Sequence, residues 1–347
     1  MQKELSKCAV VGASGYAGEE LVRLLLAHPL ADLAAVTSRQ SSGKRLEQVF
    51  PRFAHQKKGR ELIFTDSDPA SVAESAGVVF LALPHGVSGA LAKEFLGHGT
   101  RVVDLSADFR LRDPKIYQEF YGSAHTAPDL LERAVYGLPE VYGNKIRAAD
   151  LVACPGCYPT SILLPLLPLV REKLVIASDI TIASLSGVTG AGRKVETDYL
   201  FAECNESARP YGVPKHRHLS EIEQELGLVT GTKVTVQFVP HLVPMNRGII
   251  STILLRPEPD VDESEIEAVY KDAYKTAPFV RLLGNERLPD TKNVIGTNFI
   301  DISWNLDPRT GRLIVMSAID NLVKGTSGQA IQCLNLMCRY PETTGLL

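Results

Sequence analysis

Apolar positions along the first part of the chain fall in short blocks separated by helical repeats. Residues 7–11 (Lys-Cys-Ala-Val-Val) predict a buried strand. EELVRLLLAHP then places apolar side chains at Leu21, Val22, Leu24, Leu25 and Leu26, the spacing of a helix, and Pro29 stops it. Residues 31–36, 77–83 and 100–105 have strand length and turn signals, with a helical stretch at 87–96 between the last two. Strand alternating with helix predicts an open parallel sheet covered on both faces. After about Ala149 the pattern changes. Residues 153–160 form a loop rich in Pro and Cys, followed by a helix. Residues 180–184, 233–239, 248–256, 298–305 and 312–319 predict strands, and 194–203, 218–225 and 262–274 predict helices. This is a mixed α+β domain. A last amphipathic helix at 327–338 comes after a strand, which returns the C-terminus to the first domain. The expected division is 1–150 with 321–347, and 151–320.

The first strand runs into GASGYAG, with Gly12, Gly15 and Gly18 directly before a helix. Glycines there permit a tight turn, close approach of backbone to phosphates and close packing of helix on sheet. Ser14 and Tyr16 lie in the same loop, and the helix N-terminus offers N–H groups to a pyrophosphate. The fold class is therefore α/β, a Rossmann-type doubly wound dinucleotide-binding domain joined to an α+β catalytic domain with a mixed sheet. An NAD site usually carries an acidic residue at the end of the second strand. Here the chain reads Val36-Thr37-Ser38-Arg39. A hydroxyl and a guanidinium suit a 2′-phosphate, so NADP (NADPH) is the expected cofactor, held in part by Ser38 and Arg39. Pro84, followed by His85 and Gly86, closes a strand at the carboxyl edge of the sheet, where ligands of this architecture sit.

Composition narrows the class. Of 347 residues, 45% are hydrophobic and 22% charged, and the net charge is −3, so no overall basic field points to nucleic acid. No apolar run approaches the ~20 residues of a membrane helix. The charged start MQKELSK has no signal-peptide or transit character, and the chain reads as cytoplasmic or as a mature form. Six cysteines are too few for a disulfide framework.

CPGCYPT, residues 154–160, holds Cys154 and Cys157. A zinc half-site needs a second pair; Cys333 and Cys338 lie within a predicted helix, and His216 and His218 more readily serve catalysis. A redox pair is expected after the first strand of its own small fold, whereas this one opens a second domain. One nucleophile at a helix start remains. Cys157 has that position, where the helix dipole and a nearby imidazolium lower a thiol's pKa. Cys154 lies outside the helix and reads as a small buried hydrophobe. No metal is expected.

GASGYAGEELVRLL, LALPHG, DLSADFRL, YGLPE, CPGCYPT, SGVTGAGR, HRHLSEIEQ and DNLVKGTSGQA occur in this order. Together they resemble the N-acetyl-γ-glutamyl-phosphate reductases of arginine biosynthesis, which group with the aspartate-semialdehyde dehydrogenases and are mechanistically related to glyceraldehyde-3-phosphate dehydrogenase. The resemblance spans nearly the whole chain. Ser220 stands where that family more often has Pro.

The resemblance implies attack of a cysteine thiolate on an acyl phosphate, loss of phosphate, and reduction of the thioester by NADPH to an aldehyde. It makes Cys157 the nucleophile and one of His216 and His218 the acid/base, with His216 the first choice. It places SGVTGAGR against cofactor and substrate, where Ser186, Gly187 and Gly190 offer N–H groups to phosphates. Asn321 is expected at the nicotinamide carboxamide. Arg110, Arg112 or Arg247 is expected to bind the substrate carboxylate or phosphate, and the rest of the Arg/Asp run around DLSADF to form a solvated face. The resemblance also implies a homodimer or homotetramer acting on a small acyl phosphate. Two alternatives stand beside this reading: reduction of a carrier-linked aminoadipyl phosphate in lysine biosynthesis, and a non-catalytic NADP-binding sensor.

Overall fold

The computed structural model describes residues 5–66, 68–193 and 195–347. The chain divides into two compact units, one running to Pro155 and resuming over Thr326–Leu347, the other Gly156–Gly325.

The first unit is built on seven parallel strands: β1 Ser6–Val11, β2 Ala31–Thr37, β3 Phe64–Thr65, β4 Val78–Leu81, β5 Arg101–Asp104, β6 Val135–Tyr136 and β7 Leu151–Ala153. Their order is β3-β2-β1-β4-β5-β7-β6. Each of β1, β4 and β7 is buried along most or all of its length, which explains near-continuous apolar runs rather than alternation. The chain leaves β1 towards β2 and returns on the other side at β4, so the order reverses between β1 and β4. The glycine loop after β1 and the Pro84 turn after β4 therefore stand side by side at the carboxyl edge, where open sheets of this kind bind ligands. The apolar stripe of the helix Tyr16–Ala27 (Leu21, Val22, Leu24, Leu25) is buried in the core on this sheet, as are Ile331 and Leu334 of the last helix, Gly328–Met337.

Several helices of this unit escape the hydrophobic pattern, among them Pro69–Ser75, Pro114–Tyr121 and Pro139–Ala148. The first two carry a signal in plain view. Asp68 accepts the Ser71 N–H and Asp113 the Lys115 N–H, each just before a proline that opens the helix.

The second unit carries a mixed sheet of β8 Val175–Ser186, β9 Arg209–Pro210, β10 Gln237–Leu242, β11 Ile249–Pro257, β12 Val280–Gly284, β13 Ile300–Asp307 and β14 Arg312–Ile319. The order is β12-β13-β14-β11-β8-β10-β9, with β11 antiparallel to both β8 and β14. The strand expected at 233–239 begins later, because the Val236 N–H donates to the Glu223 carboxylate. The helix expected at 194–203 does not form as one element. Lys194 lies outside the described residues, and the chain then makes a 3₁₀ turn at Thr197–Tyr199 and one helical turn at Phe201–Cys204. Val195, Leu200 and Phe201 are exposed there, so no apolar burial supports a longer helix.

The helix Cys157–Arg171 crosses this unit's core, buried from Tyr158 to Val170, despite Pro165 and Pro168 inside it. A helical proline leaves the carbonyl four residues earlier without its N–H. Both orphans find hydroxyls: Ser317 donates to the Ser161 carbonyl at 2.6 Å, and the Tyr274 hydroxyl donates to the Leu164 carbonyl. The sheet and a neighbouring helix thus complete the element that carries Cys157.

Candidate active site

The glycine loop fits a dinucleotide. Gly12 has φ +84°, and a Cβ there would lie 2.4 Å from the Ala82 carbonyl oxygen. At Gly18 a Cβ would lie 2.4 Å from the Gly12 carbonyl oxygen, so this glycine lets the helix seat on the loop. Gly15 differs: a Cβ there would meet nothing nearer than 3.9 Å. The space beside it, at the N-terminus of the Tyr16 helix, is an open cradle for a pyrophosphate. Ser14 and Ser38 join their hydroxyls at 2.8 Å, which ties the loop to the end of β2. Arg39 is exposed beside them, and Pro84 is exposed at the end of β4.

Asp108 shapes the neighbouring turn. Its carboxylate accepts the N–H groups of Gly86 at 2.7 Å and Gly89 at 3.0 Å, and the Tyr117 hydroxyl at 2.8 Å. Asp104 and Asp108 are buried, so the run around DLSADF is an interior brace and not the solvated face expected from its charges. Arg110 belongs to the same brace. It donates to the carbonyl oxygens of Cys154 at 2.7 Å and Leu105 at 2.8 Å. Arg112 is exposed, and Arg247 pairs with the buried Asp320 at 3.3 Å.

The thiol lies in the second unit. Cys157 is the first residue of its helix, with Gly156 as the N-cap in extended conformation. Its pocket is lined by Tyr158, Ser186, Tyr199, Arg209, Tyr211, His216, Arg217 and His218 among others. His218 packs onto the backbone next to Cys157: a Cβ on Gly156 would lie 2.6 Å from His218 Nε2. On the other side, a Cβ on Gly325 would lie 2.8 Å from the Cys157 Cβ. Glycine at both places lets an imidazole and a backbone turn close around the thiol.

The two histidines have different surroundings. His216 Nδ1 accepts the His218 N–H at 3.1 Å, which fixes the ring with its proton on Nε2. Its ring meets Tyr158, Tyr211 and Phe238 edge-on. Burial, reinforced by the Arg217 charge, lowers its pKa from 6.5 to about 4. His216 is therefore a neutral member of an aromatic box. The Tyr211 hydroxyl donates to that of Tyr158 at 2.9 Å, and burial raises the pKa of both phenols.

The SGVTGAGR loop lines the thiol pocket through Ser186, Gly187, Gly190 and Ala191, but its N–H groups are not free as expected. Gly187 donates its N–H to the Gly248 carbonyl at 2.9 Å, and Gly190 to the Gly187 carbonyl at 3.3 Å. Those N–H groups are engaged within the protein. Gly187 is needed for close approach instead, since a Cβ there would lie 2.8 Å from the Arg247 nitrogen. Ser186 is buried, with its hydroxyl on the Gly187 carbonyl at 3.1 Å. Asn321 is also a strut: its Oδ1 accepts the Gly248 N–H at 2.8 Å and its Nδ2 donates to Thr189 Oγ1 at 3.0 Å.

Sequence reasoning gave no role to Tyr158, Arg209, Tyr211 and Arg217, which line the same pocket. Tyr158 and Arg217 lie inside quoted motifs. Arg209 and Tyr211 fall in SARPYGV, which has no periodicity and gives no signal. Among the described residues no cluster of His, Cys, Asp and Glu has the size of a metal site.

The chain and its fold have counterparts among known proteins. The semialdehyde dehydrogenase NAD binding domain matches residues 7–149, and the semialdehyde dehydrogenase dimerisation domain matches residues 157–321. An N-acetyl-γ-glutamyl-phosphate reductase of Akkermansia muciniphila is 54% identical over 97% of this chain and 97% of its own. That of Alkaliphilus metalliredigens is 48% identical over 98% of this chain and 97% of its own. Aspartate semialdehyde dehydrogenase II of Vibrio cholerae, complexed with ASA, has the same fold at 15% identity, with a TM-score of 0.74 over 97% of this chain and 99% of that one. The chain belongs to the N-acetyl-γ-glutamyl-phosphate reductase family of the semialdehyde dehydrogenases.

Proposed function

We propose that this protein reduces N-acetyl-γ-glutamyl phosphate to N-acetylglutamate semialdehyde with release of phosphate, the arginine-pathway step for which its curated relatives are named. One observation carries the residue assignment. Cys157 opens a buried helix onto a pocket that also holds His218, Arg209 and Arg217.

The Cys157 thiolate attacks the acyl carbon, and the bond from that carbon to the phosphate oxygen breaks. The helix N-terminus favours the thiolate. A reduced nicotinamide dinucleotide held by the glycine loop would supply hydride chemistry for the thioester carbon. His218 gives a proton to the oxygen as charge develops there and takes it back as the thiohemiacetal releases Cys157 and the aldehyde. Arg209 and Arg217 line this pocket and join Arg112 and Arg247 as candidates for the substrate carboxylate or phosphate. A guanidinium holds a carboxylate or phosphate in bidentate fashion.

The glycine loop with Gly12, Gly15 and Gly18 would hold the pyrophosphate. NADP is the form we assign, because the end of β2 offers Ser38 and Arg39 and no carboxylate to a ribose. The outer face of the second sheet presents Leu185 and Leu254, 40% and 38% exposed, with Ile250 beside them. A second copy of the chain covering that face would make the working form a homodimer or a larger homo-oligomer, with a small-molecule substrate. Among the described residues, no helix is long and apolar enough to cross a membrane.

The test is an assay in reverse, with N-acetylglutamate semialdehyde, phosphate and NADP⁺, on wild type and Cys157→Ser. The reading requires NADPH formation that disappears in the variant. A wild type without turnover rejects this substrate, and a fully active Cys157→Ser rejects the nucleophile.

A further inference from the structure

The chain leaves β4 through Pro84, His85 and Gly86 and enters the helix Ser88–Gly97. Gly86 has φ +83°, a conformation that glycine adopts freely and other residues do not. One buried side chain holds this turn. Asp108, 1% exposed, reaches back from the segment after β5. Its Oδ1 accepts the Gly86 N–H at 2.7 Å and its Oδ2 the Gly89 N–H at 3.0 Å. Gly89 lies in the first turn of the helix, so the carboxylate also faces that helix's positive end. The main chain beneath the side chain is anchored on both sides. The Asp108 N–H donates to Ser106 Oγ at 3.1 Å, and the Asp108 carbonyl accepts His125 Nε2.

This turn stands against the glycine loop. A Cβ on Gly12 would lie 2.4 Å from the Ala82 carbonyl oxygen and 2.9 Å from Leu83 Cδ2. In sheets of this topology the adenosine half of a dinucleotide lies on the side of β2, and the nicotinamide half on the side of β4. The turn that Asp108 holds therefore borders the nicotinamide half.

Resting on the cofactor reading given above, we propose that Asp108 is a positioning residue for the nicotinamide half of the cofactor. Its bonds to two backbone N–H groups keep residues 84–89 in the shape against which that half is laid. The carboxylate is buried and acts through the turn. Both of its oxygens are needed, because each N–H takes a different one.

Asp108→Asn keeps the size of the side chain and turns one acceptor into a donor, so one of the two N–H groups loses its partner. Two probes separate the halves of the cofactor. NADPH carries both, whereas 2′,5′-ADP carries the adenosine half with its 2′-phosphate and no nicotinamide. Calorimetric titration of the full-length protein with each probe needs no substrate. Asp108→Asn should bind NADPH at least about tenfold more weakly and 2′,5′-ADP no more than about threefold more weakly. Tyr117→Phe removes the hydroxyl that also donates to Oδ1 and leaves both N–H bonds, so both affinities should stay within about threefold. Gly86→Ala disturbs the same turn from its backbone, with no atom nearer than 4.0 Å to the new Cβ, and should repeat the selective loss of NADPH. Thermal midpoints report folding, and Gly86→Ala decides the matter if Asp108→Asn does not fold. Equal weakening of the two probes assigns Asp108 to stability alone and overturns the proposal. Wild-type NADPH affinity in Asp108→Asn or in Gly86→Ala overturns it too. A wild type that binds neither probe rejects the cofactor reading, and the proposal with it.

Discussion

Replacing Gly156 by alanine tests the closeness of His218 to the thiol loop without touching a reactive group. Gly156 has φ −64° and ψ 156°, an extended conformation open to any residue, so the substitution stores no backbone strain. Its whole effect is contact. The new Cβ would lie 2.6, 2.8 and 2.9 Å from three atoms of the His218 ring, against ordinary separations of about 3.5 Å or more. The shortfall is roughly 1 Å. The ring has little room to retreat, with His216 at 5.0 Å and Tyr158 at 6.0 Å between ring centroids. A misplacement of about 1 Å at a reacting group costs on the order of 10²-fold in rate, close to 3 kcal/mol of barrier. We therefore expect Gly156→Ala to lower kcat about 100-fold and to cost about 1–3 kcal/mol of stability, which leaves the protein folded at the assay temperature. Single-turnover kinetics, followed by NADPH absorbance, make the measurement. A kcat within about threefold of wild type, in a folded variant, refutes the claim that His218 acts from this position.

Three further outcomes rest on the same geometry. Ser317→Ala leaves the Ser161 carbonyl, already orphaned by Pro165, without a donor in the core, and should cost about 1–3 kcal/mol in chemical denaturation. His216 is neutral when folded, with its pKa lowered to about 4, so protons favour the unfolded chain. The stability it lends is complete above pH 6.5 and lost as pH falls towards 4, roughly 3 kcal/mol in all, and His216→Phe should flatten the denaturation midpoint over that window. Arg39→Ala should lower the ratio of kcat/KM for NADPH over NADH by about tenfold or more, as loss of one charge-assisted bond to a 2′-phosphate predicts; an unchanged ratio removes Arg39 from that role.

Local pattern made the first unit readable because its β–α repeats write their own signals. β1, the glycine loop and the Tyr16 helix form one contiguous stretch whose burial, turn and apolar spacing agree. Cys157 was legible for the same reason, since its place at a helix start is set by neighbouring residues. What the sequence hides is side-chain engagement across the fold. Nothing local announces that Arg110 holds the Cys154 carbonyl, that Asn321 struts the Gly248 turn, or that the N–H of Gly187 is already used. Charge suggests a surface for Asp104 and Asp108, and only the turn that Asp108 holds together explains why it is inside. The helix expected after CPGCYPT forms in spite of Pro165 and Pro168, and what the sequence does not show is that hydroxyls distant in sequence, Ser317 and Tyr274, take up the carbonyls these prolines orphan. The choice between His216 and His218 rests on one backbone N–H and one glycine contact, neither visible in HRH.

Catalysis through Cys157 requires a covalent acyl group on its sulfur. It is tested most directly by leaving phosphate out of the reverse reaction, so that the thioester forms and is not discharged by phosphate. Mixing enzyme with N-acetylglutamate semialdehyde and NADP⁺ should give a rapid burst of NADPH equal to the number of active sites. Peptide mass spectrometry on the acid-quenched protein should then find the N-acetylglutamyl group on Cys157, and adding phosphate should restore turnover. A burst with the acyl group on any other residue, or sustained turnover on addition of phosphate with Cys157 unmodified throughout, would contradict the account.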